Sequence, residues 1–295
     1  MNPFTFLPVA ATLPLAFALG RARLPLHPAW TARILATVAA TATVSAVGTA
    51  LFVAVNYAAT LAPDAADRLP EWMLFGDDEP VPAVAGVPAL LAFGYACAAA
   101  SWVVLRSAVT TRRARRLSRG VLDSDVPVAF AVPGRRDGGV LVSRGLLGLL
   151  DGRELAVVFR HEESHLRHAH HRYLLVGALI GGIVPPLRPL GARLRLALER
   201  WADEDTATAT GDRVLVARTI AKVALASAPG GGRGPGVLPG FTESQTVERV
   251  RALLGAPPPA TAVTGPVALL GSGLTTGPLA AAALQLDQAL GLPFL

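Results

Sequence analysis

Cysteine is almost missing from this chain. The single one, Cys97, lies inside an apolar run, so an intramolecular disulfide is impossible and a cysteine-built zinc site is excluded. Lysine is as scarce: Lys222 is the only one among 27 basic residues, a bias that reads as coding composition rather than chemistry. Methionine occurs only as Met1 and Met73. Charge of either sign is thin at 16%, where a soluble domain carries about 25%. With 52% hydrophobic residues and a mean hydropathy of +0.46, an ordinary soluble domain is the wrong class. No basic residue precedes the first apolar stretch, and Arg21 and Arg23 follow it. Residues 1–20 therefore read as a retained helix, not a cleaved signal peptide.

Long uncharged runs are what the chain has instead. Four of them, 1–20, 34–63, 83–105 and 252–286, reach the roughly 20 residues that a spanning helix needs. None contains an Asp, Glu, Lys, Arg or His, which argues against ion transport through the spans. A fifth run, 173–187, ends in Pro185-Pro186 and suits a buried or partly embedded helix. The connection after the first run holds Arg21, Arg23 and Arg33 and no acid. The connection 64–82 holds six acids against Arg68, and "RSAVTTRRARRLSRG" follows the third run. By the positive-inside rule the N-terminus and the acidic loop lie outside, and residues from about 106 to 262 are cytoplasmic. The pI of 10.6 does not require nucleic acid, and none is expected. The arginines gather beside membrane ends, where anionic headgroups of the lipid bilayer account for them.

These readings give a mainly α membrane protein with about four transmembrane helices and a cytoplasmic α+β domain. Residues 1–108 form a transmembrane region with helices near 4–20, 35–60 and 83–105 and the external acidic loop. Residues 109–262 form the cytoplasmic domain, and 263–295 a C-terminal transmembrane helix. Within the cytoplasmic part, "VPVAFAVPGRRDGGVLV" predicts two short strands about a Pro/Gly turn, and "SRGLLGLL" a short helix. "LDGRELAVVFRHEESHLRHAHHRY" reads as one long helix, opened by a capping box of Asp151 and Glu154. Leu155, Val158, Phe159, Glu162, Leu166 and Ala169 would form one of its faces. Leu194, Ala197, Leu198, Trp201 and Ala202 predict a second amphipathic helix, residues 226–240 a Gly/Pro-rich loop, and "ESQTVERVRALLG" a last short helix.

Five of the six histidines fall in "RHEESHLRHAHHRY". His161 and His165, at i and i+4, share a helix face and can both reach one zinc ion at about 2.0–2.1 Å. Zinc lowers the pKa of coordinated water to about 7, and Glu162 is placed to take its proton as the general base. Glu199 would be the third ligand. Asp203, one turn on, would accept the far N–H of a zinc ligand and hold its tautomer. His171 has metzincin spacing from His161. But His168 stands where that motif needs a turning glycine, and no methionine lies downstream. "LDG" at Leu150-Asp151-Gly152 is better explained as a helix cap than as an intramembrane ligand, and Arg160, Arg167 and Arg172 argue against burial of this helix in lipid. His168, His170 and His171 read as a partly solvated helix end. Tyr173 and Arg249 are both open as oxyanion-stabilising groups.

"VAFAVPGRRDGGVLVSRGLL", "HEESH", "ERWADED" and "RVRALL" occur in the order and spacing of gluzincin-type membrane metallopeptidases. The chain resembles the BlaR/MecR-type antirepressor peptidases most, with Ste24- and HtpX-type proteases as relatives, over roughly 120–255. The resemblance implies a zinc endopeptidase domain at 109–262, with His161, His165 and Glu199 on the metal and Glu162 as base. It also implies a strand near 139–143 that pairs with extended substrate, and a cytoplasmic winged-helix repressor as the protein cleaved. The antibiotic sensors of that group carry a penicillin-binding domain after the last span. No S-x-x-K is found here, so β-lactam sensing is not expected. The competing class is a catalytically silent membrane scaffold that keeps the fold. No oligomeric state follows from the sequence.

Overall fold

The computed structural model describes residues 3–62, 81–117, 121–134, 139–227 and 243–259, together with Pro266, Val267 and Gly271. The acidic connection up to residue 80, nearly all of the Gly/Pro-rich stretch and most of the last apolar run lie outside the described residues. The described chain is mainly helical. A 3-10 turn, Pro3–Phe6, leads into α1, Leu7–Leu19, and then come α2, Pro28–Leu61, and α3, Ala83–Leu117. The strands β1, Ala129–Val132, and β2, Gly139–Val142, precede α4, Arg144–Leu149, and α5, Gly152–Arg167. After them run α6, His170–Ile183, α7, Arg188–Thr210, α8, Arg213–Ala226, and α9, Glu243–Leu254.

Two of these helices are long and apolar enough to cross a bilayer: Pro28–Leu61 and Ala83–Arg116. The first apolar run gives less helix than expected. α1 has 13 residues, about 20 Å at 1.5 Å per residue, short of the roughly 30 Å hydrocarbon core. α2 and α3 pack together, with the ring of Tyr57 lying over Gly86, where no side chain fits. Much of α3 remains uncovered, and up to Leu105 its large exposed side chains include Val84, Val87, Leu90, Leu91, Trp102 and Leu105. On a protein in water such a stripe would be a liability; against lipid it is the required surface.

α6, the predicted embedded run, packs against α2, α3 and α7. Tyr95 on α3 donates to the Gly182 carbonyl at 2.9 Å, tying the end of α6 to the long helix. α6 and α7 cross so closely that a Cβ on Gly191 would stand 2.6 Å from the Gly177 carbonyl oxygen. The largest core joins this pair to the membrane helices: Leu35, Val38 and Ala42 of α2 meet Ile180 of α6 and Leu190, Leu194, Leu198 and Trp201 of α7. The amphipathic face expected on α7 is therefore the face that docks on α2.

The sheet is a two-stranded antiparallel ribbon in the register Ala129↔Val142 to Val132↔Gly139, as the strand–turn–strand pattern predicts. Val142, Leu146 and Leu150 form a small core beneath it with Leu155 and Val158 of α5. Ser143 caps α4 by accepting from Leu146 N–H. The capping box of α5 is present on both sides: Asp151 accepts from Arg153 and Glu154, and Glu154 accepts from Asp151 N–H at 3.0 Å. Lys222, the single lysine, adds a 2.6 Å bond to Glu154 and ties α8 to this cap.

Two expectations for the histidine helix need correction. The first is its length: α5 ends at Arg167, Ala169 takes a left-handed conformation with φ 52°, and α6 begins at His170. Nothing in the sequence marks this break, since alanine is the best helix former and disfavours positive φ. The second is the expected face, of which Leu155 and Val158 pack beneath the ribbon but which is not the most buried one. Val157 and Ser164 are the buried residues of α5, while Phe159 is 40% exposed. Val157 joins Ala207, Val216, Ala217 and Leu253 in a core with α7, α8 and α9, so α5 is enclosed on two sides.

The left-handed alanine is a strained position of known sign. Replacing Ala169 by Gly removes a Cβ penalty of about 1–2 kcal/mol and adds back some unfolded-chain entropy. Ala169→Gly should therefore raise stability by roughly 0.5–1 kcal/mol, read as a higher unfolding temperature of the detergent-solubilised chain. A lowered unfolding temperature would contradict this account of the turn.

Candidate metal centre

The face of α5 that meets α7 carries His161, Ser164, His165 and, just past the helix end, His168. α7 answers with Glu199, Asp203 and Asp205. The enclosed face of α5 is thus polar, and it is stable only because each group finds a partner opposite. His161 Nε2 and His165 Nε2 stand 3.2 Å apart. Glu199 Oε2 is 3.5 Å from His161 Nε2, and Glu199 Oε1 is 3.8 Å from His165 Nε2. The three donor atoms all lie within 4.8 Å of one another. Four ligands at about 2.0–2.1 Å in a tetrahedron are about 3.3–3.4 Å apart, so this spacing fits zinc.

The far sides of the ligands are also occupied. His161 Nδ1 lies 3.1 Å from Asp203 Oδ1, which places a proton on Nδ1 and leaves Nε2 as the nitrogen that faces the metal position. Asp203 in turn accepts a two-pronged contact from Arg249 of α9: Nη2 to Oδ1 at 2.7 Å and Nε to Oδ2 at 2.8 Å. Arg249 Nη1 reaches Glu199 Oε2 at 3.0 Å. The Arg249 side chain is 3% exposed and that of Asp203 2%. Of the two groups left open for the oxyanion, Arg249 is thus committed to two carboxylates, and Tyr173 packs its ring near those of Trp201 and His170.

Charge explains the donor set. Glu162, Glu199 and Asp203 are formally three negative charges facing one positive charge on Arg249. The difference is what a divalent cation with two neutral imidazoles would balance. The titration of His161 reflects the same deficit. Burial pulls its pKa down, but the hydrogen bonds to Asp203 and Glu199 outweigh that and hold it at about 10. Burial pushes Glu199 up, yet Arg249 and His165 bring it well below the usual carboxylate range. Asp203 is lowered too, Arg249 overcoming the cost of burial.

His161, His165, Glu199 and Asp203 converge, and Glu162 follows His161 on α5. His171 is exposed and takes no part. His168 is partly exposed, but His170 is not at a solvated helix end. His168 Nε2 pairs with Asp205 Oδ2 at 2.8 Å, an oxygen that also accepts from Ser164 Oγ at 2.7 Å. His170 is wholly buried, and burial, then His165 and His168, press its pKa down to about 3. Sequence reasoning had no means to find either role. His170 comes back toward the site only because the chain turns at Ala169.

Residues 103–225 match the model of peptidase family M48, a family of metal-dependent, generally zinc, peptidases. Among curated proteins the chain is similar to the protease HtpX homolog of Halobacterium salinarum, 31% identical over 133 residues, covering 38% of this chain and 46% of that protein. It is also similar to the HtpX homolog of Acidiphilium cryptum, 44% identical over 66 residues, 22% of this chain and 23% of that protein. A third likeness is to the HtpX homolog of Methanothermobacter thermautotrophicus, 45% identical over 51 residues, 17% of this chain and 20% of that protein. The chain spans less than half the length of each of these relatives. No solved structure matches. The matched segment contains His161, Glu162, His165, Glu199 and Asp203, so the likeness to a peptidase family and the cluster of possible metal ligands fall on the same residues.

The raised pKa of His161 fixes the sign of a pH effect. A group whose folded pKa exceeds its unfolded value near 6.5 stabilises fully below that value, and the contribution is lost as pH rises through about 10. With a chelator present, the wild-type chain should lose unfolding temperature relative to His161→Gln between pH 7 and 10. A difference between the two that stays flat with pH would contradict the coupling of His161 to Asp203 and Glu199.

Proposed function

We propose that this chain is a membrane-embedded zinc endopeptidase that hydrolyses a regulatory protein at the cytoplasmic face. The observation that carries the reading is the convergence of His161, His165 and Glu199 with Glu162 beside them, backed by Asp203 and Arg249. When bound, zinc supplies the charge that acidifies a water and polarises the peptide carbonyl. The protein's own groups do the rest. Asp203 accepts from His161 Nδ1–H and so turns Nε2, made more basic, toward the metal. Arg249 holds Glu199 and Asp203 ionised and in place. Glu162 takes the proton of the attacking water and can return it to the leaving amine. An extended substrate would pair with the strand Gly139–Val142, adding a third strand to the ribbon.

The membrane arrangement we propose uses all four apolar runs, the first through a helix shorter than the hydrocarbon core, with the N-terminus outside and the peptidase domain cytoplasmic. It is supported by the two long apolar helices, the absence of ionisable residues in the four runs, and the arginines at 106–119. The same layout favours an antirepressor peptidase of the BlaR/MecR type within the wider group of HtpX- and Ste24-like enzymes. A cytoplasmic winged-helix repressor is then the substrate.

Purified wild-type chain should hold one zinc and cleave an unstructured reporter protein. Glu162→Gln should keep the metal and lose activity by about 10²–10⁴-fold. His161→Ala and Glu199→Ala should lose both. Undiminished cleavage by Glu162→Gln would overturn the assignment of the base, and a wild type with metal but no cleavage of any reporter would point to the silent scaffold.

A further inference from the structure

His165 cannot bind a metal through Nε2 unless its proton sits on Nδ1, and that nitrogen needs an acceptor. For His161 the acceptor is Asp203. Among the described residues no carboxylate reaches His165 Nδ1. Its Nδ1 instead lies 2.9 Å from Nδ1 of His170, a residue with no exposed surface. Between two imidazole nitrogens one must donate and the other accept. If His170 donated, His165 would carry its proton on Nε2, pointing at His161 Nε2 only 3.2 Å away and closed to a metal. The metal-competent arrangement therefore requires His170 to accept through Nδ1 and to keep its own proton on Nε2.

The surroundings of His170 suit that tautomer. Its Nε2 is buried and has no hydrogen-bond partner among the described residues. Its ring lies 4.8 Å from the ring of Trp201 at an interplanar angle of 52°, and 5.8 Å from His168 in a stacked arrangement. A bare lone pair against aromatic faces is repelled, whereas an N–H can rest against a π face. His168 is itself held by Asp205, so the wall behind His170 is fixed. The left-handed turn at Ala169 brings His170 to this place, since five residues along an unbroken helix would point it elsewhere.

We propose that His170 is a positioning residue for the second histidine ligand: a buried neutral imidazole that accepts from His165 Nδ1–H and so presents His165 Nε2 to the metal. The proposal rests on the zinc reading above. It makes the two histidine ligands unequal, one backed by a carboxylate and the other by a neutral ring. The carboxylate raises the basicity of His161; the neutral ring gives His165 its orientation without adding another negative charge.

The test is zinc affinity of the full purified chain, measured by competition with a chromophoric chelator, alongside the visible spectrum of the Co²⁺-loaded protein. His170→Phe keeps a ring but has no acceptor. His170→Asn places Oδ1 where Nδ1 stood. Loss of zinc affinity by about 10–100-fold in His170→Phe, with His170→Asn close to wild type in affinity and Co²⁺ spectrum, is the expected result. Wild-type affinity in His170→Phe, or an equal loss in both variants, would overturn it. If His170→Phe does not fold, His170→Ala takes its place, and added imidazole should restore its affinity; failure of imidazole to do so counts against the proposal. A wild-type chain that takes up no zinc would overturn the metal reading itself, an outcome distinct from any of these.

Discussion

Asp203 carries a negative charge almost wholly out of water, and the site depends on how that charge is met. Its two oxygens receive Arg249 from α9, and one of them also receives His161 from α5. An isolated carboxylate in this place would cost several kcal/mol or take up a proton. Met from both sides, it instead becomes the fixed point from which the first metal ligand is aimed. Arg249 does the same for Glu199, and so one guanidinium sets two carboxylates with different tasks. Removing Arg249 would leave two buried carboxylates without their shared partner. For that reason the group behaves as a unit rather than as a sum of pairs.

The helix that carries these carboxylates also joins the site to the membrane. α7 turns Leu190, Leu194 and Leu198 toward α2 and Glu199 and Asp203 toward α5. At the glycine crossing with α6 the backbones nearly touch, so α7 cannot shift relative to α6 without a clash. α6 is in turn held to α3 through Tyr95. The metal-binding face is thus rigidly referred to the two long apolar helices. At the other end, Arg213 anchors α9: it pairs with Glu204 and donates to the carbonyls of Leu253 and Ala252, satisfying the end of the helix that delivers Arg249. The four elements about the site are α5, α6, α7 and α9, and each is tied to another by a polar contact that the apolar core alone would not specify.

What could be read from the sequence was the local chemistry. The i, i+4 pair of histidines, the capping box at Asp151, the short helix after the strands and the apolar stripe of α7 are short-range patterns, and all stand in the fold. So does the strand pair. The buried face of α5 was not legible, because periodicity seeks apolar residues and this face is polar, its partners lying on another helix. The break at Ala169 was hidden by the residue's own helix propensity; tertiary contacts of His168 and His170 override it. Arg249 lies 46 residues from Asp203, and no spacing rule spans such a distance. The short first helix is a similar case: composition reports that residues 1–20 are apolar, not how much of the stretch is helical.

The division between local and long-range information has a physical meaning for the site. The distances among the donor atoms are set within α5 by helix geometry and by one residue of α7. Their protonation is set from outside, by Asp203, Arg249 and His170. A chain could keep the short motif and lose the second group, and it would then hold two histidines facing one another with protons in the wrong places. Competence for metal belongs to the second group as much as to the first. The strained backbone at Ala169 is then accounted for: the turn costs free energy in the local sequence, and it brings a buried imidazole behind the ligand whose Nδ1 meets no carboxylate among the described residues.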